Sequence, residues 1–385
     1  MKEHDVVFVT PGSFVIPSGN SSSVELVVEQ VVHRLRRHVR LAVIGRRGRT
    51  LRRTDIREGV RYERVPAASP RRYVEGVSRK LRKLRPKVIQ VENRPRFARF
   101  LKRRHPGAQV WLSLHSVSFV SKPHIRRPEL RRCLAAADRI VVNSHYLKNE
   151  MVRRDPRVQA KIIVNHLGVD PDRFISRWSP EGAAKREALL HRLDLQDRKI
   201  ILYVGRLIPT KGVHHLLAAM PEIVGKVPEA LLLVVGGAFY GSRRLTPYVR
   251  RLQRTSASAP LRNHVHFVPY VSHGEVDDWF RLADVLVVPS ARREAFGLVN
   301  VEAMAAGVPV VATRAGGMSE IVEEGVTGLT VEPEALESGL APAIISLLQN
   351  EDEARCMGKR SVERVQRLFT WERMAERWLT FYDGR

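Results

Sequence analysis

Short β-branched runs alternate with longer amphipathic stretches along the whole chain. In the first half, DVVFVT (5–10), VRLAVIG (39–45), KVIQVE (87–92), QVWLSLHS (109–116) and DRIVVNS (138–144) read as strands. SSVELVVEQVVHRLRR (22–37) and VSRKLRKLR (77–85) read as helices. The second half repeats the rhythm with strands in KIILYVGRL (199–207), ALLLVVGG (230–237), HVHFVPYV (264–271), DVLVVPS (284–290) and PVVAT (309–313). GVHHLLAAMPEIVGKV (212–227) and a stretch starting near Val299 are its helices. The strands are nearly continuous in Val, Ile and Leu, which predicts parallel sheets covered by helices. Two such series predict an α/β chain with two doubly wound, Rossmann-like domains. The rhythm breaks between about residues 165 and 198, where Pro, Gly and charge intervene. The tail FTWERMAERWLTFYDGR (369–385) predicts a helix with Trp371, Met374, Trp378 and Phe381 on its apolar face.

Composition agrees with this picture. A chain of 385 residues is long for one core, and a hydrophobic fraction of 44% is ordinary for a globular protein. No apolar run is long enough to span a bilayer, and the N-terminus shows no signal-peptide pattern, so a cytoplasmic protein is expected. Cys133 and Cys356 form no disulfide framework or zinc pattern and are expected to be buried thiols.

Charge changes the picture more. The net charge is +26, and residues 1–150 hold 34 Lys and Arg against 12 Asp and Glu. That leaves +22 on the first part and +4 on the rest. A one-sided field attracts anionic partners such as an acidic substrate, an anionic membrane face or nucleic acid. SRKLRKLRPK (78–87) and RPRFARFLKRRH (94–105) interleave basic and apolar residues, as a membrane-surface helix does and as a solvated basic helix face also does. A nucleic-acid role is disfavoured. No binding-fold signature is present, and aromatic residues are only 6% of the chain.

Two loops carry candidate chemistry. In VGRLIPTKG (204–212), Arg206 and Lys211 flank a turn between a strand and a helix. Ligands of open α/β sheets bind beyond the carboxyl ends of strands, and two cations there suit a diphosphate. In REAFGLVNVEAMAAGVPVVAT (293–313), Glu294 falls in a loop and Glu302 in the first turns of a helix. Gly297 permits close backbone approach, and the helix start offers free N–H groups to an anion. Each acid is either a hydrogen-bond acceptor for sugar hydroxyls or an ordinary solvated or helix-start acid.

Taken together, GRLIPTKG and EAFGLVNVEAMAAGVPVVATRAGGMSEIVEEGVTGL resemble the retaining GT-B glycosyltransferases of family 4, group 1, and a spore-coat-type member among them. The resemblance covers nearly the whole chain. It implies two Rossmann-like domains facing across a cleft. Residues 1–170 would form the acceptor domain and 171–370 the donor domain, with 371–385 returning to the first. It implies a nucleotide-sugar donor, with uridine the favoured base, and a glycan or lipid-linked acceptor, in cell-surface or coat glycan synthesis. Glu294 would bind donor-sugar hydroxyls and Glu302 the ribose. Arg206 and Lys211 would hold the diphosphate with the N–H groups near Gly297, Leu298 and Val299, beside Phe296. Pro269 and Tyr270 would flank the base, and Gly236 and Gly237 would line the nucleotide. His115, at the end of a strand, would reach the donor sugar. Many relatives carry a Gly-Gly pair in the first strand–helix loop, where this chain has Gly19 and Asn20. Glu92 and Asn93 also follow a strand and would line the acceptor side.

No cofactor or metal is expected, since Arg206, Lys211 and a helix start meet the diphosphate charge. Asp170-Pro171-Asp172 matches a metal-binding D-x-D pattern but lies in the interdomain linker and reads as a turn. No third acid is assigned near the anomeric carbon, which favours same-face substitution over a covalent intermediate. The competing reading is a GT-B-like structural or sugar-binding coat component without turnover. The expected location is cytoplasmic, peripheral at the inner membrane face.

Overall fold

The computed structural model describes residues 5–17, 23–239 and 244–382. The chain divides into two compact units, residues 1–167 with 371–385, and residues 168–370.

The first unit contains, in chain order, β1 (Val6–Val9), α1 (Ser23–Leu35), β2 (Leu41–Arg46), β3 (Thr54–Arg57), β4 (Val60–Val65), α2 (Pro70–Leu84), β5 (Val88–Glu92), α3 (Pro95–Arg104), β6 (Gln109–Leu114), α4 (Arg127–Ala136), β7 (Arg139–Val142), α5 (His145–Arg154) and β8 (Ile162–Val164). The strands form one sheet of order β3-β4-β2-β1-β5-β6-β7-β8. Every pairing is parallel except β3 with β4. Val6 of the central strand faces Leu41 on one side and Val88 on the other. Val7, Phe8, Val9, Ile89, Val91, Leu112 and Ile140 fill the centre and are buried.

The β3–β4 hairpin escapes the apolar pattern. Its turn residues Glu58 and Gly59 have φ of 47° and 80°, the left-handed pair of a two-residue hairpin turn. β3 is an edge strand with mostly exposed residues, so no alternation marks it.

The basic helices correct one expectation. α2 starts at Ser69, whose side chain accepts from the Arg72 N–H at 3.2 Å, with Pro70 at the first helical position. Its Tyr73, Val74, Val77, Leu81 and Leu84 are buried, as are Phe97, Ala98 and Leu101 of α3. The apolar faces of both helices are therefore core. The faces that meet solvent are mostly arginine and lysine, with Phe100 partly exposed, so the buried apolar residues are not available for membrane insertion. No described helix is long and apolar enough to cross a membrane.

The second unit contains α6 (Pro180–Arg192), β9 (Lys199–Val204), α7 (Val213–Lys226), β10 (Ala230–Val235), α8 (Pro247–Ser256), β11 (Val265–Val268), α9 (Asp277–Leu282), β12 (Val285–Val288), α10 (Leu298–Ala305), β13 (Val310–Thr313), β14 (Gly328–Val331), α11 (Leu336–Gln349) and α12 (Glu351–Leu368). Its strands form a wholly parallel sheet of order β11-β10-β9-β12-β13-β14. Ile201, Leu232, Val285 and Val311 of the sheet pack with Leu216, Met220, Leu340 and Ile344 of α7 and α11. Asp284 anchors the base of β12. It accepts from the Ile200 N–H at 2.7 Å, from Arg177 at 2.8 Å and from Arg186 at 2.9 Å.

The chain ends on α13 (Trp371–Tyr382), which belongs to the first unit. Trp378 stacks on Trp111 of β6 with ring centroids 6.1 Å apart, and Trp371 and Met374 are buried beside it. Phe381, the last of the expected apolar set, is only partly covered. The cysteines correct a second expectation. Cys133 is buried, but Cys356 is exposed, because α12 turns that position to solvent.

Candidate active site

In the second unit the chain builds outward from β9 to β11, then returns to β12 on the other side of β9. The crevice of such a sheet lies where the winding reverses, at the carboxyl ends of β9 and β12. The loop carrying Arg206 and Lys211 follows β9, and the loop carrying Glu294 follows β12. The two sequence motifs therefore meet at the switch point.

Backbone contacts fix these loops. The buried Tyr203 hydroxyl donates to the Arg206 carbonyl at 2.9 Å, and the Leu207 N–H donates to the Gly237 carbonyl at 3.0 Å. Burial pushes the Tyr203 phenol far above its ordinary range, so it stays a donor. Gly212, directly after Lys211, has a φ of 76°, and a Cβ there would lie 1.8 Å from the Pro289 carbonyl oxygen. Only glycine allows the Lys211 turn to rest on the end of β12. Gly316 plays the same part for Glu294. Its φ is 70°, a Cβ would lie 1.9 Å from the Glu294 carbonyl oxygen, and the next N–H, of Gly317, donates to that oxygen at 2.9 Å.

Lys211 Nζ donates to Glu294 Oε2, a part-buried ion pair that joins the expected phosphate and sugar residues directly. Spacing alone did not show this contact. α10 begins after Gly297 with no side-chain cap, so the N–H groups of Leu298 and Val299 at its start have no acceptor within the helix. Phe296 is buried behind them. Glu302 lies on α10 and is 7% exposed. Burial pushes its carboxyl above the usual range, while His273 and Arg173 pull the other way. His273 Nδ1 stands 3.7 Å from Glu302 Oε1, and Arg173 donates to the His273 carbonyl. Neither partner was found in the sequence, because no motif links residues 173, 273 and 302. Gly236 and Gly237 follow β10, and Pro269 and Tyr270 follow β11, so these four occupy the loops after adjacent strands.

In the first unit His115 follows β6 and Glu92 ends β5. His115 Nε2 lies 2.7 Å from Glu92 Oε2. Glu92 Oε1 accepts from Gln90 Nε2 at 2.9 Å, and Gln90 Oε1 accepts from the Tyr382 hydroxyl of α13 at 2.7 Å. Asn93 Oδ1 accepts from the His115 N–H at 3.3 Å. The imidazole is thus the end of a buried chain of polar groups rather than a solitary side chain. Its Nδ1 is buried and has no partner among the described residues. Gly19 and Asn20 lie outside the described residues.

Other candidates resolve as structural. Asp170 Oδ1 accepts from the Asp172 N–H at 3.2 Å, closing a turn. His214 Nδ1 meets the Tyr248 hydroxyl at 2.9 Å, and His264 Nδ1 meets the Ala230 carbonyl at 2.8 Å.

Comparison with known proteins identifies the family and the fold. Residues 186–364 match the family of glycosyl transferases group 1, and residues 24–173 match glycosyltransferase family 4. Spore coat protein SA of Bacillus subtilis is 29% identical over 378 residues, covering 98% of this chain and 99% of the relative. A GDP-mannose-dependent alpha-(1-6)-phosphatidylinositol monomannoside mannosyltransferase of Mycobacterium tuberculosis is 32% identical over 277 residues, covering 70% of this chain and 68% of the relative. The crystal structure of Anabaena HepE in complex with UDP-glucose superposes with a TM-score of 0.81 at 21% identity, covering 100% of both chains. The chain belongs to the family 4, group 1 glycosyltransferases, and is a nucleotide-sugar-dependent enzyme with the GT-B fold.

Proposed function

We propose that this enzyme moves a sugar from a UDP-sugar to an acceptor hydroxyl with retention of anomeric configuration and without a metal ion. The second unit holds the donor and the first the acceptor. The observation that carries this reading is the convergence of Lys211, Glu294 and the uncapped start of α10 at the switch point of the second sheet. Lys211, Arg206 and the N–H groups of Leu298 and Val299 supply positive charge for a diphosphate. Glu294 and Glu302 supply acceptors for sugar and ribose hydroxyls, eight positions apart across that helix start. Gly236, Gly237, Pro269 and Tyr270 line the base and nucleotide side, and His115 assists at the donor sugar.

Glu294 is already engaged by Lys211, which suits a positioning role better than that of a free nucleophile. The departing phosphate oxygen then takes the acceptor proton on the face where the new bond forms. Catalysis lies in positioning and in stabilising the leaving diphosphate. A UDP donor is supported by the UDP-glucose complex of HepE, although the mycobacterial relative uses GDP-mannose. The acceptor belongs to cell-surface or coat glycan synthesis, reached at the inner membrane face through the basic sides of α2 and α3.

A thermal-shift screen of UDP-, GDP- and TDP-sugars tests the donor. A ligand at 100 times its dissociation constant stabilises by about 2.7 kcal/mol. A shift with UDP-sugars alone supports the reading, and a shift confined to GDP-sugars rejects the base. The name of the Bacillus subtilis relative favours a second reading, a coat component without turnover. Detectable release of UDP from a UDP-sugar in the presence of acceptor excludes it.

A further inference from the structure

In the first unit the sheet also reverses its winding. β1 leads to β2 on one side, and the chain later returns to β5 on the other side of β1. The crevice at the carboxyl ends of β1 and β5 is the place where this half would receive a ligand. Ser13 lies in the loop after β1, and Arg94 lies in the loop after β5.

Arg94 is held firmly there. Its Nη2 donates to Ser13 Oγ at 3.0 Å and its Nη1 to the Asn93 carbonyl at 3.0 Å. Its guanidinium carbon sits 4.1 Å from the centroid of the Phe119 ring. A second cation reaches the same loop from the other side, for Arg46 at the end of β2 donates through Nη1 to the Ser13 carbonyl at 2.9 Å. Acids are scarce in this unit, and several are committed elsewhere. Asp5 pairs with Arg40, Asp55 with Arg64, Glu63 with Arg61 and Lys80, and Glu129 with Arg96. Neither Arg46 nor Arg94 has a carboxylate within ion-pair distance among the described residues. Burial works against the Arg94 charge, with Glu25 favouring it from further away. Many surface arginines of this basic chain also lack an acid. Arg94 differs in being half-buried, stacked, hydrogen-bonded on two sides and placed at the switch point.

We propose that Arg94 and Arg46 form the binding site for a phosphate group on the acceptor, so that the enzyme glycosylates a hydroxyl compound already bearing a phosphate ester. A planar fork held against an aromatic face suits a phosphate oxygen pair, and a second guanidinium suits its second charge. The inference rests on the reading of the first unit as the acceptor side. The same ester chemistry occurs in a soluble polyol phosphate and in a phospholipid headgroup.

The test uses the full chain and reads proton saturation-transfer NMR of glycerol 3-phosphate, with glycerol as the unphosphorylated control. Co-sedimentation with phosphatidylglycerol and phosphatidylcholine vesicles runs beside it. Glycerol 3-phosphate should bind the wild type, glycerol should not, and Arg94→Gln should weaken binding at least tenfold. Arg94→Lys should recover part of it, since the charge returns without the fork. Arg46→Gln, at an exposed position, should weaken binding in the same direction and keeps the test open if Arg94 variants fold poorly. Loss of vesicle binding in Arg94→Gln with no glycerol 3-phosphate binding by the wild type assigns the site to a lipid headgroup. Wild-type binding retained in both Gln variants overturns the proposal, as does a wild type that binds neither probe. UDP affinity, measured on the same variants, should not change. Failure of UDP binding in the wild type would instead reject the donor reading and leave the phosphate site standing.

Discussion

His115 Nε2 lies 2.7 Å from Glu92 Oε2, and the carboxylate is itself held by Gln90 and, through it, by Tyr382 of the terminal helix. An imidazole bound this way has its ring orientation set by a buried acid. Glu92→Gln keeps the shape and removes the charge. It is expected to lower turnover with the fold intact by circular dichroism. If this contact positions His115 for the reaction, a double-mutant cycle with His115→Ala should give a coupling of about 0.5–3 kcal/mol in transition-state stabilisation. Strict additivity would show that Glu92 acts independently of His115.

The Lys211–Glu294 pair makes a sharper division possible. On the proposed reading, a donor diphosphate competes with Glu294 for Lys211. Lys211→Ala should reduce turnover by about 100-fold or more, in the range seen when a leaving-group stabiliser is removed. Glu294→Gln frees the lysine and removes a negative charge beside the phosphates, so UDP alone should bind as well as to wild type or better. Turnover of the UDP-sugar should nevertheless fall. Isothermal titration with UDP and with UDP-glucose separates these effects, and an equal loss of both affinities in Glu294→Gln contradicts the assignment.

Asp284 gives the second unit an acid-sensitive anchor. Burial alone would raise its pKa, but Arg177, Arg186 and the Ile200 N–H outweigh burial and hold it below the ordinary value of 3.8. A carboxyl depressed in the folded state contributes stability that is complete above its unfolded pKa. That stability is lost as pH falls through the lower folded value. Urea unfolding should therefore show a loss below pH 3.8 that is absent in Asp284→Asn. At neutral pH the same variant should cost about 3–5 kcal/mol, because two largely buried arginines lose their carboxylate.

The terminal helix should be equally necessary to the first unit. Trp378 is buried against Trp111 and Tyr382, and Trp378→Ala removes a large core side chain at a cost of about 3–5 kcal/mol. Tyr382→Phe removes only the hydrogen bond to Gln90 and should cost about 1 kcal/mol. Chemical denaturation of both variants checks the ratio.

These features were not equally legible in the sequence. Parallel strands buried on both faces announce themselves as Val and Ile runs, so most of both sheets could be read directly. The β3–β4 hairpin could not, because its edge strand exposes Thr54, Ile56 and Arg57 and is set by turn geometry at Glu58 and Gly59. The motif loops around Lys211 and Glu294 were visible because their charged residues sit beside Gly212 and Gly297, which have left-handed φ in the structure. Contacts between distant loops were not. The pairs Lys211–Glu294, His273–Glu302 and Glu92–His115 depend on which strands lie side by side, and sequence spacing carries no trace of that. The amphipathic pattern of α2 and α3 was read correctly as a pattern, but it does not say whether a core or a membrane covers the apolar face.

On the function proposed above, the switch point of the second unit holds the diphosphate and ribose of a nucleotide sugar. Titration of UDP-glucose into wild type, Lys211→Ala and Glu302→Ala tests it most directly. Binding to wild type should be saturable, and each variant should bind at least tenfold more weakly, with folded spectra unchanged. Equal affinity in all three proteins would contradict it.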